Sequence, residues 1–421
     1  IVIGLMLSTV IMTAAFGTGD TVASSVDAEV FTILGEADER ITYNTQDFPA
    51  PEREQVIPGD QVDAWRRMFA GDPDIEAFLP LNTEVLPVQN TRTRLNEAAT
   101  RIVGWRASDA DAFGGLKDVT GKQVRLGPGQ IAVNEELVAQ LDARVGDRLL
   151  LFFQGQPVEV TVTAIVKNTL LGGTFDTLAR QGAAVDFDFL SSITGQGDNA
   201  DVVFVSNTGD ARSGMGRSDA VTARLEAALA GTPFEVSADK RDGVEQAQLV
   251  GSFFTTFFVI FGLFSIAAGV LLIFLIFVML AAERRPEMGM ARAVGAKRRQ
   301  IVESFLAEGL GYDLGSAVVG LIVGIGVVFA MVGFISATQG DALGLILDVN
   351  VTPRSLLVAF CIGVIATFIV IFFASYRASR VNIVAAIRDL PETRPLNPES
   401  ATVLGYLRGS LNGFVAFGIV L

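Results

Sequence analysis

Phe253-Phe-Thr-Thr-Phe-Phe-Val-Ile-Phe-Gly-Leu-Phe-Ser-Ile-Ala-Ala-Gly-Val-Leu-Leu-Ile-Phe-Leu-Ile-Phe-Val-Met-Leu-Ala-Ala282 runs for 30 residues without a charge. Glu283-Arg-Arg-Pro-Glu-Met-Gly-Met-Ala-Arg-Ala-Val-Gly-Ala-Lys-Arg-Arg-Gln300 follows directly. The first stretch exceeds the roughly 20 apolar residues a membrane-crossing helix needs. At helical rise it reaches about 45 Å against a hydrocarbon core of about 30 Å, so it tilts or projects beyond the bilayer as a stalk. The second stretch carries six basic residues against two acids, the signature of a cytoplasmic loop.

Working outward, Leu314–Gly340 and Ser355–Tyr376 are charge-free over 27 and 22 residues. Ile1–Phe16 is apolar but only 16 residues long, without an initiator Met or a basic leader. It reads as the end of a span whose start lies upstream, not as a signal peptide. Asn412–Leu421 reads as the start of another span, and the chain is expected to be a fragment. Arg377–Arg408 is basic, and Asp341–Arg354 has two acids and one base. The positive-inside rule puts the former in the cytoplasm and the latter outside. Thr18–Ser252 must then also lie outside; it holds 20 basic and 36 acidic residues, a net of −16.

The expected fold is an α-helical transmembrane bundle of four spans plus the start of a fifth, with a large α+β extracytoplasmic domain inserted between spans 1 and 2. The expected segments are span 1 at 1–17, the extracytoplasmic domain with helical stalks at 18–252, span 2 at 253–282 and the cytoplasmic loop at 283–300. Span 3 then covers 301–340, a short outer loop 341–354, span 4 355–376, a cytoplasmic linker 377–410 and the start of span 5 411–421.

Composition narrows the chemistry. Of 421 residues half are hydrophobic, mean hydropathy is +0.46 and only 19% are charged, below the quarter usual for soluble chains. Histidine is absent and Cys361 is the lone cysteine. This excludes histidine-based triads, histidine-ligated zinc or haem, cysteine clusters and intrachain disulfides. A net charge of −14 argues against nucleic acid as a partner.

Within 18–252, Pro and Gly punctuate Pro49–Pro80, which reads as loops and short helices. Strands are expected at Gln130–Asn134, Leu149–Phe153, Val158–Val166, Val202–Ser206 and Phe234–Ser237, with helices at Glu135–Leu141 and Ser218–Leu229. Thr18–Glu39 reads as a stalk ending near Gly35. Gly115–Gln123 has one residue too many between its glycines for a phosphate-binding loop, and Gln123 stands where a Mg²⁺-binding hydroxyl belongs. Leu126-Gly-Pro-Gly-Gln130 is read as a turn. Tyr312-Asp313 lacks the second intramembrane aspartate that proteolysis needs. The chain is therefore expected not to be an enzyme.

In the loop, Pro286 suits a first helical turn and Glu287 its positive end. Met288, Ala291 and Val294 form a short apolar stripe, and Gly295 suits a helix end. A short capped helix of this kind fits a groove on a partner protein. The stretch closely resembles the loop of the FtsX/MacB-like ABC transporter permease family, E-R-x-x-E-[IM]-G-x-x-[RK]-A-[IVL]-G-[AM]. It matches at Glu283, Arg284, Glu287, Met288, Gly289, Arg292, Ala293, Val294, Gly295 and Ala296. Gly17-Thr-Gly-Asp20, Ile131–Asp147 with Val160–Val166, and Leu306-Ala-Glu-Gly309 followed by Gly315, Gly320 and Gly324 resemble further family segments. So does Ser379–Arg388, where Ile383 stands in place of the family's usual proline.

The resemblance implies a type VII, mechanotransmitting permease, a larger member of which this chain is a piece. It implies no cofactor on this chain, with ATP and Mg²⁺ on a partner, a cytoplasmic ABC ATPase dimer that docks on Glu283–Gln300. It further implies a second permease unit, from the same chain or another protomer, and a multi-pass place in the bacterial inner membrane. The expected function is to turn the partner's ATP hydrolysis into movement of the outer domain, exporting or extracting a substrate from the outer leaflet or periplasm. The alternative is a mechanical regulator that moves an extracytoplasmic partner, such as a cell-wall hydrolase, and transports nothing.

Other residues follow from spacing. Ser316, Gly320 and Gly324 recur every four residues, allowing close helix packing. Glu308 and Asp313 are acids entering span 3, suited to interfacial hydrogen bonding or to a transmission role. Phe254, Phe257, Phe258, Phe261 and Phe264 form an aromatic stripe facing lipid, a helix or an apolar substrate. Cys361 is expected as a small core residue.

Overall fold

The computed structural model describes residues 2–175, 180–283, 287, 290, 294–343 and 348–378. They fall into two compact units, one of Ile1–Thr9, Leu263–Leu321 and Phe360–Leu421, the other of Val10–Gly262 and Ile322–Ala359.

The second unit holds the β module. Its strands are β1 (Glu39–Tyr43), β2 (Ile75–Asn90), β3 (Asn96–Trp105), β4 (Gln130–Asn134), β5 (Arg148–Phe153), β6 (Gln156–Val166), β7 (Gly182–Asp186), β8 (Val202–Asn207) and β9 (Phe234–Ser237). The long β2 serves two sheets. Its first half pairs antiparallel with β8, and β8–β1–β9 continue outward as an antiparallel sheet. Its second half pairs with both β3 and β5, closing the ring β2–β3–β7–β4–β6–β5 into a six-stranded mixed barrel. Closure removes the unpaired edges that an open sheet of this size would expose.

Side-chain alternation explains the barrel core. Leu149 and Leu151 of β5, Val160 and Val162 of β6, and Ile131 and Val133 of β4 are buried in one cluster. Helix α4 (Glu135–Leu141) adds Leu137 and Leu141, and α5 (Phe187–Thr194) adds Leu190. Asn134 and Asp186 start these helices, their side chains accepting from Leu137 N at 2.9 Å and Phe189 N at 3.1 Å, the usual N-cap arrangement. On the open sheet, Val221, Leu225 and Leu229 of α6 (Ser218–Leu229) pack with Ile41, Val203 and Val205. Trp65 of α2 (Gly59–Met68) joins that cluster.

Strands at β4, β5, β6, β8 and β9 and the helices α4 and α6 lie where the sequence pattern puts them. The reading of Pro49–Pro80 as loops and short helices holds through α2 and is corrected at its end, because β2 runs from Ile75 through Pro80. Pro80 is tolerated because at that point β2 pairs only with β8; pairing with β3 starts at Asn82. Pro87 falls where the β2–β3 register shifts between Leu86 and Val88, so its missing N–H interrupts no regular ladder.

Long helices make up the rest. α1 spans Val2–Leu34 and α7 Asp239–Glu283; α8 spans Arg298–Leu343 and α9 Pro353–Ala378. Three stretches among the described residues are long and apolar enough to cross a membrane: Leu5–Leu34, Leu306–Phe334 and Pro353–Phe372. The expected span 2 lies within α7, although most of its side chains fall outside the described set. The expected start of span 5 and most of the 377–410 linker lie outside the described residues.

Candidate functional site

Two features concentrate buried polar groups: the junction where α1 and α7 join the β module, and a seam of small residues along the helices.

The junction follows from chain order. Gly35, at φ +56°, ends α1, its N–H donating to Phe31 O at 3.0 Å, as left-handed caps do. After three intervening residues β1 begins, while α7 starts just after β9. Because β1 and β9 are neighbours, with Arg40 opposite Ser237, residues 38 and 240 meet. Lys240, fully buried, donates from Nζ to Asp38 Oδ1 at 2.7 Å and to Ala211 O at 3.0 Å. Asp38 Oδ2 accepts from Asn207 N at 2.8 Å, and Glu39 Oε1 from Asn207 Nδ2 at 2.8 Å. Glu39 Oε2 has no partner among the described residues. Burial pushes the Glu39 carboxyl up to about 7, and Asn207 and Ser218 pull back only partly. Burial also raises Asp38, against the pull of Lys240.

Further contacts fasten α1 to the module. Arg180 pairs with Glu29 at 3.0 Å with both side chains largely buried. Arg212 lies 4.3 Å over the Phe31 ring and 3.7 Å from Asp27. α7 lies antiparallel against α1: a Cβ on Gly243 would meet Val30 at 3.1 Å, and one on Gly251 would meet the Ala23 backbone at 3.1 Å.

Gly17-Thr-Gly-Asp20 acquires a physical role here. A Cβ on Gly17 would meet Val328 at 2.7 Å and Val351 at 3.3 Å. Asp20 Oδ2 accepts from Thr352 N at 2.9 Å and Thr352 Oγ1 at 2.8 Å, fixing the entry to α9. Thr21 Oγ1 accepts from Asn350 N at 3.3 Å.

Ser316, Gly320 and Gly324 are all buried on α8. In the first unit Gly320 faces α1, where a Cβ would lie 3.0 Å from Thr9 Cβ, and Gly363 of α9 faces the same threonine at 3.1 Å. In the second unit a Cβ on Gly324 would lie 2.6 Å from Thr13 Cβ. Ser316 Oγ donates to Asp313 O at 2.9 Å. Asp313 is buried and accepts from the Thr367 hydroxyl of α9, while its Oδ2 has no partner among the described residues. Glu308 is exposed, in contrast to Asp313.

In the loop, Glu283 closes α7, Glu287 and Met290 are helical and exposed, and Val294 is 91% exposed. Val294 N donates to Met290 O at 3.0 Å, and Gly295 takes φ +109°. Lys297 N donates to Gln300 Oε1 at 2.8 Å, just before α8. Arg284, Met288, Gly289, Arg292 and Ala293 lie outside the described residues. Phe253 and Phe257 stack at 6.4 Å, and Phe257 packs edge-on against Phe258. The side chains of Phe254, Phe261 and Phe264 are outside the described set. Cys361 is exposed on α9, correcting its reading as a core residue: it lies on the face away from Gly363 and Thr367.

The sequence reading missed Asp38, Glu39, Asn207 and Lys240. They lie on segments up to about 200 residues apart, and the pairing of β1 with both β8 and β9 joins them.

Residues 259–383 match the FtsX-like permease C-terminal family. Over 307 residues the chain is 23% identical to an uncharacterized ABC transporter permease protein of Mycobacterium tuberculosis, covering 70% of this chain and 33% of the relative. The chain thus spans about a third of the length of the curated relative it matches. Among solved structures it is similar to the extracellular domain of the noncanonic ABC-type transporter YknZ from Gram-positive bacteria. That match has 13% identity and a TM-score of 0.34, covering 48% of this chain and 99% of the other. The periplasmic region of MacB from Actinobacillus actinomycetemcomitans is similar at 13% identity and a TM-score of 0.33, covering 50% and 92%.

Removing one partner of a buried ion pair strands the other, at about 3–5 kcal/mol. Asp38→Ala should lower stability by that order in denaturant titration, and Asp38→Leu with Lys240→Met should recover most of it. Glu39 keeps its proton in the native state to about 7 instead of its usual 4.5, so its contribution is full below 4.5 and lost as pH rises through 7. Glu39→Gln should therefore flatten the fall in stability across that window and stabilise the protein at pH 8. Gly324→Ala should lower the melting temperature in detergent, and Thr13→Gly in the same chain should restore it.

Proposed function

We propose, from the match of residues 259–383 to the FtsX-like permease C-terminal family and the similarity to an ABC transporter permease protein, that this chain is a membrane subunit that turns nucleotide-driven motion of a separate ATPase into movement of the β module. The observation that carries this reading is the pair of uninterrupted helices α1 and α7. Each runs from apolar residues to a junction at which a buried lysine and aspartate join both to the sheet. A helix moved along its axis transmits displacement only if its far end is fastened. A lysine with no access to water is a stiff fastening, because sliding it out of register strands a charge.

In this reading the partner is a cytoplasmic ABC ATPase dimer that binds ATP and Mg²⁺. It docks on the loop through Glu283, Arg284, Glu287, Met288, Gly289, Arg292, Ala293, Val294 and Gly295. Val294, exposed at 91%, offers the apolar contact such docking needs. Ser316, Gly320 and Gly324 let α8 move as one body with α1, and Asp313 with Thr367 ties α8 to α9. Glu308 lies at the start of the same path. A second permease unit completes the assembly in the bacterial inner membrane, with the β module outside. The cargo is drawn from the outer leaflet or periplasm.

Met288→Asp with Val294→Asp should abolish stimulation of the partner's ATPase while leaving the permease monodisperse by gel filtration. Normal coupled turnover in that variant would overturn the docking assignment. Protease added from outside intact cells should cut within residues 18–252; cleavage from the cytoplasmic side alone would reverse the topology.

A further inference from the structure

One groove on the β module is unrelated to the helix seam and the docking loop. It has a volume of about 520 Å³ and lies among the end of α1, the 113–121 loop and the 167–171 segment. That size falls within the range of small-molecule sites. Ile33, Leu34, Phe113 and Leu170, each 9% exposed or less, line it. Its charged lining includes Lys117 and Lys167.

The two lysines are placed by backbone pairing. Asp118 bridges antiparallel to Val166, and Val119 N donates to Ile165 O at 3.0 Å. Residue 117 therefore stands opposite residue 167. Like charges directly opposite one another across strands are destabilising. Both lysines are exposed, and among the described residues neither ammonium has an ion-pair or hydrogen-bond partner. The nearest carboxylate in sequence, Asp118, is committed to its own turn: it accepts from Thr120 N at 2.9 Å, Thr120 Oγ1 at 2.6 Å and Lys122 N at 2.9 Å. Glu36, also on the rim, is influenced by Lys240, Asp38, Asp210 and Glu76, and not by this pair. Two lysines with no direct ion-pair partner among the described residues, beside an apolar wall, are complementary to a molecule with an acidic head and a hydrocarbon body.

We propose that this groove binds an anionic amphiphile, its hydrocarbon against Ile33, Leu34, Phe113 and Leu170 and its acidic head between Lys117 and Lys167. Bound, the head relieves the repulsion between the ammoniums, and the hydrocarbon fills the space beside these largely buried side chains.

The test uses the full chain in phosphatidylcholine nanodiscs with three photo-crosslinking probes: a diazirine hexadecanoic acid, the matching hexadecanol and a diazirine phosphatidylglycerol. Labelled sites are mapped by mass spectrometry. The acid should label peptides containing 113–121 and 167–171, with the alcohol at least tenfold weaker there. Labelling by phosphatidylglycerol as well would identify a membrane lipid as the source; labelling by the acid alone would identify a free acid. Lys167→Glu converts the like pair into an opposite pair, so it should keep or raise the melting temperature while losing at least tenfold in labelling. Equal labelling by acid and alcohol, labels confined to the long helices away from residues 32–36, or undiminished labelling of Lys167→Glu would overturn the proposal. No ATPase enters the experiment, so its outcome is independent of the permease reading.

Discussion

The rest of the structure depends on a lysine that water does not reach. Lys240 and Asp38 meet at 2.7 Å at the roots of α7 and α1. The pair is weak evidence for stability, since desolvating two charges consumes most of what their attraction returns. Its value lies in geometry. A hydrophobic contact tolerates a slip of an ångström; a buried ammonium whose hydrogen bonds go to Asp38 and Ala211 does not. Asn207 ties the same cluster to β8, so helix ends and sheet form one polar knot.

The helices around this knot pack by a different rule. Between apolar helices in a bilayer, association rests on close van der Waals contact and small residues. Gly17, Gly320, Gly324 and Gly363 each stand where a Cβ would press on a neighbouring helix or loop. Threonines face three of these glycines, and the hydroxyls of Thr9 and Thr13 have no partner among the described residues. Asp313 Oδ2, in the first unit with Thr9, likewise has no partner among the described residues.

Much of this was legible in the sequence. Alternating β-branched residues located Val158–Val166. The loop pattern from Glu283 to Ala296 carried the family resemblance, and residues 259–383 match the FtsX-like permease C-terminal family. The end of α1 near Gly35 was legible as the end of a stalk, but what holds Asp20, Asp27 and Glu29 along the helix was not. Their charges are answered by Thr352, Arg212 and Arg180, which are distant in sequence. The path of β2 was hidden by Pro80 and Pro87, residues that normally argue against a strand and here sit where one edge is unpaired or the register shifts. The junction was hidden because its members share no local pattern. The lysine pair of the groove was equally silent, since only the bridge between Asp118 and Val166 sets 117 opposite 167.

The central claim, that this chain works as the membrane partner of a nucleotide-driven motor, is tested most directly by purifying the full-length protein in mild detergent. Whatever accompanies it would be identified by mass spectrometry and the eluate assayed for ATP hydrolysis. The account predicts a stoichiometric ABC ATPase with measurable turnover. A permease that purifies intact with no ATPase and no turnover would contradict it.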